Sequence, residues 1–268
     1  MTKRARRVTY LCAAFLVLGT AMSATAQTRY ARGQNIAPVF EGWERNPDGT
    51  FSMNFGYMNR NWEEELEVPL GPNNTFEPGP ADRGQPSHFY TRRQAFVFKV
   101  QVPKDWGQRD LVWTLTAHGR TDRAYGTLLP EWEINNTVFA ENRGGGAAID
   151  YNNQPPSLTV GPVRSITPNS VTLTATISDD GLPKPRRPSP AAQQRRPQGL
   201  RLSWIHYRGP GKVTFDPADP QFKTGEIITT ASFSGPGTYV LRAIADDGGL
   251  FAVQDVTVTI SPPSAVSR

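Results

Sequence analysis

Apolar and polar residues alternate with a period of two over several stretches of this chain, and no window from 38 to 135 holds a sustained helical period. Phe51, Met53, Phe55 and Tyr57 alternate with small or polar residues after a Pro-Asp-Gly turn at 47–49. Phe96, Phe98, Val100 and Val102 do the same in QAFVFKVQVP, and Leu111, Trp113 and Leu115 in DLVWTLTAHG. One apolar residue at every second position is what a strand needs when one of its faces is buried. The turn-rich PKDWGQR between the last two runs predicts an antiparallel pair. Shorter strands are expected at 66–70 and 125–129, and the Pro- and Gly-rich stretch 71–85 is expected as a long loop. Together these predict a β-sandwich over 38–135. Three consecutive glycines and weak patterning predict an interdomain linker over 136–152.

Residues 153–262 predict a second domain with strands at 157–161, 170–178, 200–207, 212–215, 227–233, 237–245 and 251–260. Many short strands separated by turns point to a sandwich. Trp204 sits in the third strand, where an immunoglobulin-like core buries its tryptophan. Tyr239, in Gly-Pro-Gly-Thr-Tyr, stands where a tyrosine corner belongs. Leu173 and Leu241 take the two positions that carry the inter-sheet disulfide in antibody domains, so aliphatic packing is expected to close this core. The blocks NQPPSLTV, SVTLTATISDDGLP, LSWIHYRGPGKVTF, TTASFSGPGTYVLRAIADDG and VTVTI resemble the PKD-type immunoglobulin-like repeats of bacterial secreted and surface proteins. The stretch departs from the commonest pattern of that family in lacking a W-D-F-G-D-G run and in carrying an insert at 182–199. The resemblance implies a non-enzymatic spacer, adhesion or contact module and transfers no catalytic residue. The expected fold class is therefore all-β, with two β-sandwich domains, the C-terminal one immunoglobulin-like.

The N-terminus changes what composition means. Lys3, Arg4, Arg6 and Arg7, an apolar run and Ala24-Thr25-Ala26 predict a cleaved secretory signal peptide over 1–26. The apolar run is too short for a spanning helix, so no membrane span is expected after cleavage. The leader holds four of the five net positive charges of the 268-residue chain and its single cysteine, Cys12. The exported part is then nearly neutral, free of thiol chemistry and disulfides, and without a basic face for nucleic acid. The expected location is periplasmic, cell-surface or extracellular, with oligomeric state left open. The insert, rich in proline and arginine, predicts a disordered loop able to touch an anionic polymer.

Candidate chemistry is sparse. Asp179-Asp180 and Asp246-Asp247 each precede a glycine at the end of an expected strand, and the immunoglobulin topology brings both loops to one end, beside Asn153. Converging carboxylates and an amide oxygen suit calcium, which makes a calcium brace one reading; Asp-Asp-Gly as turn chemistry is the other. Trp43, Trp62 and Trp106 lie in polar or turn contexts, where exposed rings could stack on sugar faces. His88, His118 and His206 show no zinc spacing, and no nucleophile elbow is present, so no catalytic residue is assigned. The leading expectation is a non-enzymatic exported binding, adhesion or spacer module whose partner is envelope polysaccharide or protein. A carbohydrate-binding accessory module is the alternative, and an enzyme in the first domain a second one. The enzyme reading needs a concave pocket with converging polar side chains near 63–65 and His88.

Overall fold

The computed structural model describes residues 29–142, 150–184 and 199–262. The expected leader and most of the expected insert lie outside these. The chain divides into two compact units, Met1–Tyr30 and Ala31–Arg268, and every described strand belongs to the second.

The fold is all-β. In chain order the first eight strands are β1 (Ile36–Arg45), β2 (Phe51–Asn59), β3 (Leu66–Glu67), β4 (Asn74–Glu77), β5 (His88–Phe89), β6 (Arg92–Val102), β7 (Leu111–Ala117) and β8 (Arg120–Gly126). They form the sheets β1-β2-β6 and β4-β7-β8 and the small pair β3-β5, all antiparallel. Met53, Phe55, Phe98 and Val100 from the first sheet share one core with Phe76, Leu111, Trp113 and Leu115 from the second. Trp113 is completely buried among Phe55, Phe76, Phe89 and Phe98, and its Nε1 donates to Asn74 Oδ1 at 3.0 Å. Asn74 in turn donates to the carbonyls of Val68 and Pro86, so the 71–85 stretch, expected as a loop, carries β4 and is tied into the core near its start.

No strand was expected over Ile36–Arg45, a stretch that contains Pro38 and Gly42. A bulge falls between Phe40 and Gly42. Gly42 has φ +123°, and a Cβ there would lie 2.7 Å from the carbonyl oxygen of Trp132, so the chain can pass at that point only without a side chain.

The second group comprises β9 (Ser157–Val160), β10 (Arg164–Thr167), β11 (Ser170–Ser178), β12 (Arg201–Arg208), β13 (Val213–Asp216), β14 (Gly225–Phe233), β15 (Gly237–Asp246) and β16 (Phe251–Ile260). One sheet runs β10-β11-β14-β13, with β9 also on β11, and the other β12-β15-β16. Val171, Leu173, Ala175 and Ile177 of β11 share a core with Leu202 and Trp204 of β12 and Leu241, Ala243 and Ala245 of β15. Leu173, Trp204, Tyr239 and Leu241 are all buried, and the Tyr239 hydroxyl donates to the Gly235 carbonyl at 2.8 Å.

Of the expected linker over 136–152, residues 143–149 lie outside the described residues, and its first part is helical. Residues Asn136–Asn142 form a short helix, α1, whose Phe139 packs at 4.4 Å from Phe96 and joins Leu250 in a third apolar cluster. Phe96 reaches this cluster because β6 bulges between its pairings with Phe55 and Tyr57. Its φ of 52° is unusual for a bulky residue, and it turns the ring away from the core that Phe98, Val100 and Val102 enter. The simple alternation expected from QAFVFKVQV therefore breaks at its first member. Burying each of these three side chains contributes roughly 1.5–3 kcal/mol, which is enough to give the junction a core of its own.

Candidate functional site

The seam between the sandwiches is built largely by β12. Its register against β15 shifts between His206 and Arg208, so both faces near that point find partners: Leu202, Trp204 and His206 point one way and Tyr207 is buried on the other. Backbone and side chains then lock to the segment around 82–90. Ser87 N–H donates to the Tyr207 carbonyl at 3.1 Å, and His206 N–H donates to the Tyr90 hydroxyl at 2.9 Å. The Tyr207 hydroxyl donates to the Gly84 carbonyl at 2.5 Å, while Arg208 forks onto Asp82 at 2.7 and 3.1 Å. On β15, Arg242 donates to the Val97 carbonyl, is held bidentately by Asp255, and lies 3.6 Å above the Tyr207 ring.

At the rim of this seam, local strand geometry assembles a cluster of titratable groups. Glu67 of β3 is directly opposite His88 of β5, so the two side chains share a face. Glu65 lies two positions earlier and reaches the same side, while Leu66 between them turns toward the apolar core. His88 Nδ1 lies 2.5 Å from Glu67 Oε1 and its Nε2 3.1 Å from Glu65 Oε2. His206 then enters from the other sandwich: its ring stacks on His88 at 4.6 Å, and its Nδ1 is 3.7 Å from Glu67 Oε1. His206 is only 2% exposed, yet neither ring nitrogen has a hydrogen-bond partner among the described residues, and neither does Trp204 Nε1. A cavity of about 440 Å³ adjoins them, lined by Glu65, His88, Tyr90, Trp204, His206 and Lys212 among others.

The two imidazoles are driven to opposite states. Burial pulls His88 down, but its hydrogen bonds to Glu65 and Glu67 and their charges outweigh this and push it up to about 9. Burial and the neighbouring His88 charge lower His206 to about 4. Near neutrality His88 is therefore a cation held by carboxylates, and His206 is neutral. The hydrogen bond to His88 holds Glu65 below its ordinary range, whereas burial lifts Glu67 above its own. Among the described residues, Glu67, His88 and His206 are the one group of three or more potential ligands whose donor atoms all fall within 4.8 Å of one another. Sequence spacing could not show this: the two histidines share no local motif, and only docking of β12 against β5 brings them together.

At the acidic turns, Asp179 Oδ1 and Asn153 Oδ1 are buried without a hydrogen-bond partner among the described residues, while the other carboxylate oxygens serve the turns. Asp179 and Asp180 accept from the N–H groups of Gly181 and Leu182, and Asp180 also takes Gln154 N–H. Asp246 accepts from Gly248 N–H and pairs with Arg201 at 2.9 Å, so that carboxylate turns to a cation of its own. Asp247 Oδ1 accepts from Gly249 and Leu250, and its Oδ2 accepts from Asn153 Nδ2 at 3.2 Å. Each of the four carboxylates thus accepts at least one backbone N–H, the turn chemistry of Asp. Asp247→Ala is expected to cost about 1–2 kcal/mol through loss of these acceptors. The loss should be equal in calcium and in chelator when measured by thermal denaturation; a calcium-dependent difference would mean the carboxylates hold an ion.

Trp43 and Trp106 do not form a surface platform. Trp43 is 2% exposed, with Nε1 donating to the Leu129 carbonyl, and Trp106 is 5% exposed, with Nε1 donating to the Arg109 carbonyl. Distant or looped backbone closes over both rings, which polar sequence context does not reveal. Trp62 alone of the three is open to solvent, with the Arg92 guanidinium 4.1 Å over its ring. No described helix is long and apolar enough to cross a membrane.

No family model matches the sequence, and no curated protein matches it. Among solved structures, a conjugate transposon protein from Bacteroides vulgatus is 12% identical, with a TM-score of 0.25, over 45% of this chain and 96% of that one. The Yersinia pseudotuberculosis adhesin InvE is also 12% identical with a TM-score of 0.25, over 84% of this chain and 59% of the adhesin. Overlays this loose leave function to be argued from the chain's own residues.

Proposed function

We propose that this chain is an exported, non-enzymatic binding or spacer module acting at the cell envelope or outside the cell, with a C-terminal PKD-type immunoglobulin-like sandwich. The observation that carries the reading is the seam. Domains joined by a single chain crossing ordinarily move against each other unless the interface is large and apolar. Here an apolar cluster, a bidentate Arg208–Asp82 pair and part-buried hydrogen bonds fix the two sandwiches together. A fixed joint suits a protein that holds position or transmits force. The β9/β10-β11-β14-β13 and β12-β15-β16 sheets and the Tyr239 hydrogen bond support the immunoglobulin-like part. The glycan alternative now rests on Trp62 alone of its three tryptophans.

Two measurements test the proposal. Fractionation of expressing cells should recover the chain outside the cytoplasm with Gln27 as its first residue; an uncleaved cytoplasmic chain would overturn it. Co-sedimentation with insoluble envelope polysaccharides should then assign the binding role if the protein pellets, and the spacer role if it stays in the supernatant.

A second reading, an enzyme, is favoured by one specific observation: two histidines in opposite protonation states beside Lys212 in a concave cavity, an arrangement suited to acid–base work. Turnover of generic ester or glycoside substrates that is lost in His206→Gln would establish it in place of the first.

A further inference from the structure

We propose that Glu67, His88 and His206 bind one zinc-class divalent ion across the seam, with Glu65 as the residue that orients His88. This inference is independent of the spacer reading. Two imidazoles and a carboxylate are a donor set that zinc takes readily, and imidazole nitrogens select first-row transition ions over calcium or magnesium; binding would release to solvent the proton that His88 Nδ1 holds against Glu67. The strongest indication is His206, 2% exposed with both ring nitrogens unpartnered. A buried imidazole ordinarily satisfies at least one nitrogen, so one left without a hydrogen bond beside a carboxylate is aimed at something else.

The geometry supports the chelate. Both Nδ1 atoms flank the same oxygen, Glu67 Oε1, at 2.5 Å from His88 and 3.7 Å from His206. Ligands about 2.0–2.1 Å from a tetrahedral zinc lie roughly 3.4 Å apart, a value those two spacings bracket. With His88 held toward Glu65 through Nε2, it is the His206 ring, whose nitrogens have no hydrogen-bond partner among the described residues, that would turn its Nδ1 to complete the chelate, beside a cavity that both histidines line. Glu65 adds the feature metal sites commonly share. It sits 3.1 Å from His88 Nε2, the nitrogen opposite the coordinating one, so the ring would donate its N–H to a carboxylate and keep the correct tautomer. Glu67 and His88 belong to one sandwich and His206 to the other, so the ion would act as a staple between them.

The test uses tag-free protein stripped with chelator and titrated with zinc chloride by calorimetry, then with cobalt as a visible reporter of geometry. One ion per chain, tetrahedral cobalt bands and a zinc-dependent rise in melting temperature are expected. Affinity should fall by about 10- to 100-fold in Glu65→Gln, and further in His88→Gln, His206→Gln and Glu67→Gln. Because His206 is buried and its variant can fail to fold, Glu67→Gln at the exposed rim is the decisive variant. Absence of saturable zinc binding to the unaltered protein would overturn the proposal, as would unchanged affinity in both His88→Gln and Glu67→Gln.

Discussion

Trp113→Ala is expected to be the most damaging single change in the N-terminal sandwich, lowering stability by about 4–6 kcal/mol. Removing a fully buried tryptophan from a packed core costs about 3–5 kcal/mol through lost burial and the cavity left behind. The cavity here would open among Phe55, Phe76, Phe89 and Phe98, rings held on separate strands that cannot close up without moving their sheets. Asn74 Oδ1 would also lose its indole donor in a dry setting, which adds about 1 kcal/mol or more. Trp113→Phe separates the two effects, since it keeps most of the apolar volume and loses only the hydrogen bond and part of the ring. Urea denaturation should rank the stabilities as unaltered protein, then Trp113→Phe, then Trp113→Ala. Equal losses in the two variants would show that the Asn74 hydrogen bond dominates over packing.

Arg242→Met is expected to uncouple the sandwiches. The arginine is 6% exposed, and its guanidinium does three things at once: it forks onto Asp255, donates to the Val97 carbonyl of the other sandwich, and covers the Tyr207 ring. Breaking a buried ion pair by removing one partner costs about 3–5 kcal/mol. Asp255 keeps partial contact with water, with a side chain 38% exposed, so the loss should sit at the lower end of that range. Methionine restores apolar packing against Tyr207 but cannot satisfy Val97. In scanning calorimetry the unaltered protein should melt in one transition. The variant should melt in two, the first lowered by roughly 6–12 °C for a loss near 3 kcal/mol. A single transition at an unchanged temperature would mean that the apolar cluster of Phe96, Phe139 and Leu250 holds the seam without help from Arg242.

Zinc should act in the opposite direction on the same boundary. An ion held by Glu67, His88 and His206 ties the folded seam and not the unfolded chain, so its presence should draw the two transitions of Arg242→Met back together. The seam hydrogen bonds and the histidine cluster would then be two independent fastenings of one joint.

How much of this was legible in the chain differs from element to element. All-β character was plain, because strand alternation needs only residues two apart, and the runs at Phe51, Leu111 and Ser170 carry it without interruption. Strand β1 was hidden by Pro38 and Gly42, yet Pro38 pairs in register with Tyr57 and a bulge falls between Phe40 and Gly42. The stretch after Ile134 looked like a linker because glycines follow it, yet Phe139 finds an apolar partner in Phe96, a residue that had itself been placed in the first core. The tryptophans show the limit of local context most directly. Trp43 sits among polar neighbours but is sealed by the backbone at Leu129, far along the chain.

By itself the sequence determined the period of its strands, the chemistry of its turns and the absence of cysteine outside the first 26 residues, since each depends on residue identity or on neighbours a few positions away. Only the tertiary structure decided which aromatic rings reach water, which carboxylates meet cations and which histidines face one another. His88 opens a two-residue strand in one sandwich, and His206 ends the core row of β12 in the other. Nothing in the residues around either one records the other, because the interaction that brings them together is the burial of Tyr207, Arg242, Phe96 and Phe139 between two sheets. That burial is a non-local, nondirectional driving force, and it leaves no period in the chain.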